Sequence, residues 1–299
     1  MYLGQLFALL TALGWAQNSM IYSYVGKQIG SRTVAHIRLW IAFPMIIAVH
    51  LVMFSTPLPL GLDLSAVFGL LASGFIGFFI ADVLIFKGFV DLGPRETLVI
   101  LTTSPIFSAL LSLLFFQETL NLLQTAGILM TISGVIWVIA EETKSTVRTK
   151  KYLVSGVLAA FAGTITQALA MALAKGGMIA EVHPVSGNYL RLAAGLAGLI
   201  IYSSVRGTFR SDFQVFHKPK LVLLLAFAAA AGPVLGIIFT LAAMNLIPLG
   251  VVSALGQVSP VFLLPVERFI WKKRLGPGAL LGTLLAISGS AMLFLMQYP

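Results

Sequence analysis

Ten long apolar runs, separated by short polar connectors, constrain this chain more than any other feature. A helix that crosses a bilayer core needs about 20 mostly apolar residues, and each run is close to that length. The runs cover residues 2–24, 33–54, 66–86, 96–116, 121–140, 152–174, 183–205, 220–242, 247–268 and 276–297. Unbroken runs of this kind favour helices over barrel strands, which alternate in short segments.

The composition supports a membrane protein. Only 10% of the 299 residues are charged, 59% are hydrophobic and the mean hydropathy is +0.99, whereas soluble domains carry roughly 25% charged residues. The first run lacks a basic start and contains Gln5, Gln17 and Asn18. We therefore expect it to be a retained span and not a cleaved signal peptide.

Several chemistries are excluded or disfavoured by residue content. The chain has no cysteine, which excludes disulfides and thiolate sites. Its four histidines, at positions 36, 50, 183 and 217, have no i, i+4 pair of the kind found in helical zinc sites. We expect no metal and no cofactor. The net charge of +9 lies in clusters between apolar runs, so it indicates membrane orientation and not nucleic-acid binding.

The chain repeats itself at an offset of 155 residues. The matches are Gly77 with Gly232, Ser104-Pro105 with Ser259-Pro260, Leu120 with Leu275, Gly127 with Gly282, and Ile132-Ser133-Gly134 with Ile287-Ser288-Gly289. Arg38-Leu39 match Arg191-Leu192 at an offset of 153. A charged connector divides five runs from five, which predicts a first repeat over residues 1–140, a linker over 141–151 and a second repeat over 152–299.

Because each repeat has an odd number of spans, the two halves must cross the membrane in opposite directions. The predicted fold is an all-α membrane protein with ten transmembrane helices in two inverted five-helix repeats. That architecture is typical of secondary transporters, whose halves rock around a site near the bilayer midplane.

Several of these residues also resemble a known family. Gln117-Glu118-Thr119-Leu120, Gly127, Thr131-Ile132-Ser133-Gly134-Val135, Ser104-Pro105 and Arg38 resemble the EamA repeat of the drug/metabolite transporter superfamily. The resemblance implies two EamA units and transport of metabolites, amino acids, drugs or nucleobase-like compounds across the cytoplasmic membrane. A nucleotide-sugar carrier of the same superfamily is an alternative. In the second half, Lys273 stands where the first has Glu118, so a symmetric role for the acid is in doubt.

Three charged residues lie inside the runs, where charges are costly and usually face the bundle interior. A guanidinium at Arg191 or Arg38 suits a carboxylate or phosphate group of a substrate, although Arg38 lies close enough to the interface to snorkel. Asp82 is a candidate for proton coupling or for pairing with an arginine. Glu118, just before the fifth run, suits a helix N-terminus and a structural role.

Polar and aromatic side chains inside apolar runs are further candidates for substrate binding, with bonds between helices as the alternative. They are Trp15, Asn18, Gln167, Asn188, Tyr189 and Gln257.

Two sequence features predict how the helices bend and pack. Pro105 and Pro260 occupy equivalent places inside runs four and nine, where each is expected to bend its helix. A stripe of small residues on run five, and its copy on run ten, predicts close helix packing, with a homodimer through the stripe as an alternative.

Two other classes of membrane protein, an intramembrane hydrolase and a channel, fit the sequence less well than a transporter does. An aspartyl intramembrane hydrolase needs two acids, and a serine type needs a serine beside a histidine such as His50. A channel is disfavoured because inverted repeats favour alternating access.

Of the 19 Lys and Arg residues, sixteen fall in connectors on one side and only Lys175 on the other. The basic side should be cytoplasmic, with both termini outside, although EamA relatives are usually described with termini inside.

Overall fold

A computed structural model describes residues 2–92, 97, 100–142, 150–259, 261–262 and 277–295, and all regular structure in those residues is helical. In the first half, α1 covers Leu3–Ile29, α2 Ser31–Phe54, α3 Leu64–Gly74, α4 Asp82–Asp91, α5 Ser104–Phe116 and α6 Leu122–Glu142. In the second half, α7 covers Lys150–Met178, α8 Pro184–Val205, α9 Phe209–Asp212, α10 Pro219–Ala229, α11 Ile237–Met244, α12 Leu249–Gly256 and α13 Pro277–Leu295.

Four helical segments are long and apolar enough to cross a membrane by themselves. They are Ser31–Phe54, Leu64–Asp91, Val154–Met178 and Pro219–Met244. A fifth is added if Pro184–Val205 and Phe209–His217, which meet at a bend of 116°, count as one span. Large apolar side chains such as Val52 (85% exposed) cover the outside of the bundle. The protein is therefore an integral membrane protein whose exposed apolar surface faces lipid.

The third and eighth spans each change from α-helix to π-helix in mid-course. The π segments cover Phe75–Ala81 between α3 and α4, and Ala230–Gly236 between α10 and α11. Their bounds differ by 155 residues, which is the offset of the sequence repeat. The two halves therefore share this irregularity, and such π segments occur frequently at functional sites.

The stripes of small residues on α6 and α13 pack against each other within one chain. A Cβ at Gly134 would lie 2.3 Å from the backbone nitrogen of Ala286, and one at Gly289 would lie 2.5 Å from that of Thr131. Only glycine permits such close approach of two helices. This surface is covered by the chain's own helices, so it is not available for the homodimer contact that the sequence left open.

Pro105 lies in the first turn of α5, not in the interior of a longer helix. The preceding helical turn ends at Thr102–Thr103, and a proline in a first turn loses no hydrogen bond because that N–H would have no helical partner. Where the sequence predicted a bent helix, the helix is therefore interrupted completely over two residues. A matching break lies at Gln257–Val258, 155 residues later, while Pro260 itself lies outside the described residues.

Candidate functional site

A cavity of about 190 Å³ lies in the middle of the bundle, between the two repeats. Its lining is mostly apolar and aromatic, with a small number of polar side chains, which is the usual make-up of a small-molecule site. The lining residues used below are Trp15, Tyr22, Arg38, Asp82, Phe86, Ser104, Gln167, Met171, Met244, Ser253 and Gln257.

A buried ion pair between Arg38 and Asp82 forms part of the cavity wall. Nη2 of Arg38 donates to the Asp82 carboxylate, and the side chains are 1% and 12% exposed. The guanidinium carbon lies 5.3 Å from the centre of the Tyr22 ring and 5.0 Å from that of Phe86. Arg38 therefore does not snorkel to the interface. An acid and two aromatic faces offset its positive charge inside the bundle.

Arg191 is also buried, at 1% exposure, but pairs with no acid among the described residues. Its guanidinium carbon lies 5.3 Å from the Phe78 ring centre, and its Nη2 lies 4.0 Å from Sδ of Met171. Its Nε and Nη1 are buried without a hydrogen-bond partner in the part of the chain that the structure describes. Such an unsatisfied buried cation is costly, which suggests a role beyond packing.

Arg191 lies directly behind the cavity wall. A Cβ at Gly77 would lie 3.5 Å from Arg191 Nη2 and 3.6 Å from Gln167 Oε1, so these two polar atoms converge on the first π segment. Gln167 Oε1 also lacks a partner among the described residues. Since Gln167 and Met171 line the cavity, two side chains separate the guanidinium from the space that a ligand would occupy.

The other sequence candidates divide into two groups. Trp15, Gln167 and Gln257 line the cavity. Asn18, Asn188 and Tyr189 do not appear in its wall. Asn188 donates from Nδ2 to the carbonyls of Pro233, at 2.8 Å, and Val234, at 3.2 Å, and so stabilises the second π segment.

Tyr189 packs edge-on against Phe43, with ring centres 5.4 Å apart. Asn18 is fully buried against the second π segment, where a Cβ at Gly232 would lie 1.9 Å from its Nδ2. Glycine at position 232 therefore leaves room for the Asn18 amide.

The chain matches the EamA-like transporter family over residues 2–140 and again over residues 154–295. The chain belongs to the EamA-like transporter family. The resemblance of the sequence to the EamA repeat is thereby confirmed.

The fold of this EamA-like protein is also found in a solved structure. A protein known by crystal structure matches with a TM-score of 0.72 at 18% sequence identity, over 97% of this chain and 95% of that one. A search of curated protein sequences finds no match. The structural likeness extends over nearly the whole of both chains and supports a shared fold.

Sequence reasoning missed several residues of the cavity in this EamA-like transporter. Tyr22 follows Asn18 by four residues, and Phe86 follows Asp82 by four, so both lie on the same helix faces as polar residues that were singled out. That spacing was the available signal. Met244 and Ser253 carried no such signal, because each is one of many apolar or small residues in its span.

Glu118 has a different structural role from the one expected. The first turn of α6 is capped by Asn121 and Gln124, each side chain accepting from the other's backbone N–H at 2.8 Å. The Glu118 carboxylate instead accepts from the backbone nitrogen of Leu249, at 3.3 Å, and from Nζ of Lys175. It thus stabilises the N-terminus of α12 in the other repeat.

The structure does place one serine beside a histidine. His50 Nδ1 donates to the carbonyl of Thr56 at 2.8 Å, which leaves Nε2 to accept from Ser186 Oγ at 3.2 Å. Neither residue lines the central cavity, and the pair joins α2 to α8. No group of three acids or histidines suited to a metal occurs among the described residues. The members of the family are transporters, not enzymes.

Proposed function

We propose that this protein is a secondary transporter that moves a small metabolite or drug-like compound across the cytoplasmic membrane by alternating access. The observation that carries the proposal is the central cavity, whose wall combines side chains from both repeats with the buried Arg38–Asp82 pair. In this view the ten apolar runs form ten transmembrane helices, and two inverted units, residues 1–140 and 152–299, rock around the cavity.

The charge balance of the interior supports a substrate with an anionic group. Arg38 and Asp82 form an ion pair, while Arg191, which Asp82 attracts from a greater distance, adds a second positive charge and forms no ion pair of its own among the described residues. A carboxylate or similar group entering beside Gln167 would satisfy that charge. The mainly apolar wall, with Trp15, Tyr22 and Phe86, suits the rest of a small amino acid, nucleobase or organic anion.

Purified protein in vesicles should transport its substrate without ATP, because movement of the two repeats uses the gradient of substrate or protons. Amino acids, purines and organic anions would first be screened for a raised melting temperature, since a ligand of the folded state stabilises it by mass action. Uptake of the best stabiliser would then be measured with and without ATP. Saturable uptake and counterflow are expected. Strict dependence on added ATP, or flux that does not saturate, would contradict a carrier.

We also propose that the basic connectors face the cytoplasm, because sixteen of the 19 Lys and Arg residues lie on that side. Residues near both ends of the chain would then lie outside. A periplasmic-type reporter enzyme fused after Pro299 should be active, and a fluorescent reporter that folds only in the cytoplasm should be dark. The reverse pattern from the two fusions would show the opposite orientation.

A further inference from the structure

A four-residue cluster joins the two repeats at the end of the bundle where the chain enters α1. The Glu118 carboxylate accepts from Lys175 Nζ, from Ser112 Oγ and, at 3.3 Å, from the backbone nitrogen of Leu249. Glu118 and Ser112 belong to the first repeat, whereas Lys175 and Leu249 belong to the second. We call these four residues the Glu118 clamp. Because a charged hydrogen bond is among the stronger polar contacts, the clamp holds the two halves together at this end.

A second cavity, of about 760 Å³, lies at the same end and is formed mainly by connectors around residues 118–124, 178–184 and 244–248. We call it the vestibule. Its lining is mixed, with many apolar side chains beside the charged residues Glu118, Lys175 and Glu181. Gly4, in the first turn of α1, lies against Ile247, which places the start of α1 beside the vestibule.

Met244 separates the vestibule from the central cavity. It contributes to the walls of both and is only 3% exposed. Leu249, whose backbone nitrogen is held by the clamp, also lines the central cavity. A path from the vestibule to the central cavity therefore passes a buried methionine and the end of α12 that Glu118 fixes.

The repeat does not supply the same bridge at the opposite end. At the offset of 155 residues, Lys273 corresponds to Glu118, and at the offset of 153 residues that joins Arg38 to Arg191, Tyr22 corresponds to Lys175. A lysine and a tyrosine do not make the carboxylate–ammonium pair of Glu118 and Lys175. The sequence repeat therefore does not copy this ion pair.

We propose that the Glu118 clamp is the gate that keeps the central cavity closed toward the vestibule, and that Glu118 and Lys175 position α12 in the closed state. The proposal rests on the alternating-access function above. Opening toward the vestibule requires the two repeats to separate there, and so requires the contacts of Glu118 with Lys175 and Leu249 to break. Loss of the clamp shifts the population toward the state open to the vestibule.

The absence of cysteine from the chain gives a direct test. A single cysteine introduced at Ser253 lies in the wall of the central cavity. Its rate of labelling by a membrane-impermeant maleimide measures how readily the reagent reaches that cavity from the vestibule end. A single cysteine at Ile179, which lines the vestibule and is 67% exposed, selects vesicles with that end outward and verifies folding. Glu118→Gln and Lys175→Met should each raise the labelling rate at position 253 about tenfold, the effect of a coupling of ordinary size.

Two variants serve as controls. Lys175→Arg keeps the ion pair and should leave the rate within about twofold of the parent. Glu181→Gln removes an exposed carboxylate from the same vestibule without touching the clamp and should also leave it unchanged. If the labelling rate is unchanged in Glu118→Gln and Lys175→Met, or if it rises equally in Glu181→Gln, the proposal that the clamp is a gate is wrong. If Glu118→Gln does not fold, the comparison of Lys175→Met with Lys175→Arg decides. Labelling needs no substrate, so this outcome is independent of the transport assay.

Discussion

Asp82→Asn is expected to lower the free energy of unfolding by about 3–5 kcal/mol, the usual cost of removing one partner of a buried ion pair. The variant leaves the Arg38 guanidinium at 1% exposure, with its ring contacts to Tyr22 and Phe86 but without a carboxylate. Arg191 lies in the same interior, where the Asp82 carboxylate also attracts it, so the variant removes the nearby negative charge from both guanidinium groups. Thermal unfolding in detergent, followed by size-exclusion chromatography, measures the loss.

Asp63→Asn is the matched control, since Asp63 is exposed just before α3 and its carboxylate accepts from Ser65 Oγ at 2.8 Å. It should change stability by less than about 0.5 kcal/mol. Removing both charges, as in Arg38→Met with Asp82→Leu, should recover most of the stability, because neither member of the pair is left buried without the other. If Asp82→Asn is as stable as the parent, the pair does not hold the interior together.

The double variant also separates a structural role of Asp82 from proton coupling. If Asp82 carries the transported proton, the folded double variant should lose the pH dependence of transport. Retention of the parent's pH dependence by that variant would restrict Asp82 to pairing with Arg38.

Arg191→Met is expected to have the opposite balance of effects: no loss of stability and a large loss of transport. Methionine has similar reach and no charge, so it removes a buried cation that has no acid partner among the described residues. If the substrate carboxylate binds Arg191 in the parent protein, the variant loses a charged contact worth about 2 kcal/mol, which corresponds to roughly 30-fold in apparent affinity. Melting temperature and transport at several substrate concentrations measure the two effects separately.

Arg191→Lys distinguishes charge from shape. If the planar guanidinium binds the anion, lysine should also be impaired, because a point charge does not reproduce its paired donors. Arg206→Met is the control, since Arg206 is exposed just after α8 and its guanidinium carbon lies 5.5 Å from the centre of the Tyr202 ring, away from the central cavity. Full transport activity in Arg191→Met with unchanged apparent affinity would exclude Arg191 from the site.

The breaks in the helices show what sequence spacing could and could not predict. Pro105 and its counterpart at position 260 indicated interruptions at equivalent places, and a two-residue break does precede each position. The π segments at Phe75–Ala81 and Ala230–Gly236 were not predicted. Only Gly77 and Gly232 hinted at them. A π segment depends on what packs on the helix, as Asn188 does on the carbonyls of Pro233 and Val234, and such contacts are not encoded by local spacing.

The sequence by itself determined the helical membrane class, the repeat and the membership of the EamA-like family, because these follow from periodic apolar runs and from motifs within short stretches of chain. It also placed Arg38, Asp82 and Arg191 inside apolar runs, although it did not indicate that Asp212 and Lys175 are buried. The tertiary structure decided that Asp82 pairs with Arg38 and that Glu118 bridges to Lys175. The paired residues lie 44 and 57 positions apart in the chain. Partner choice at such separations depends on which helix faces meet, and that is set by the packing of the whole bundle.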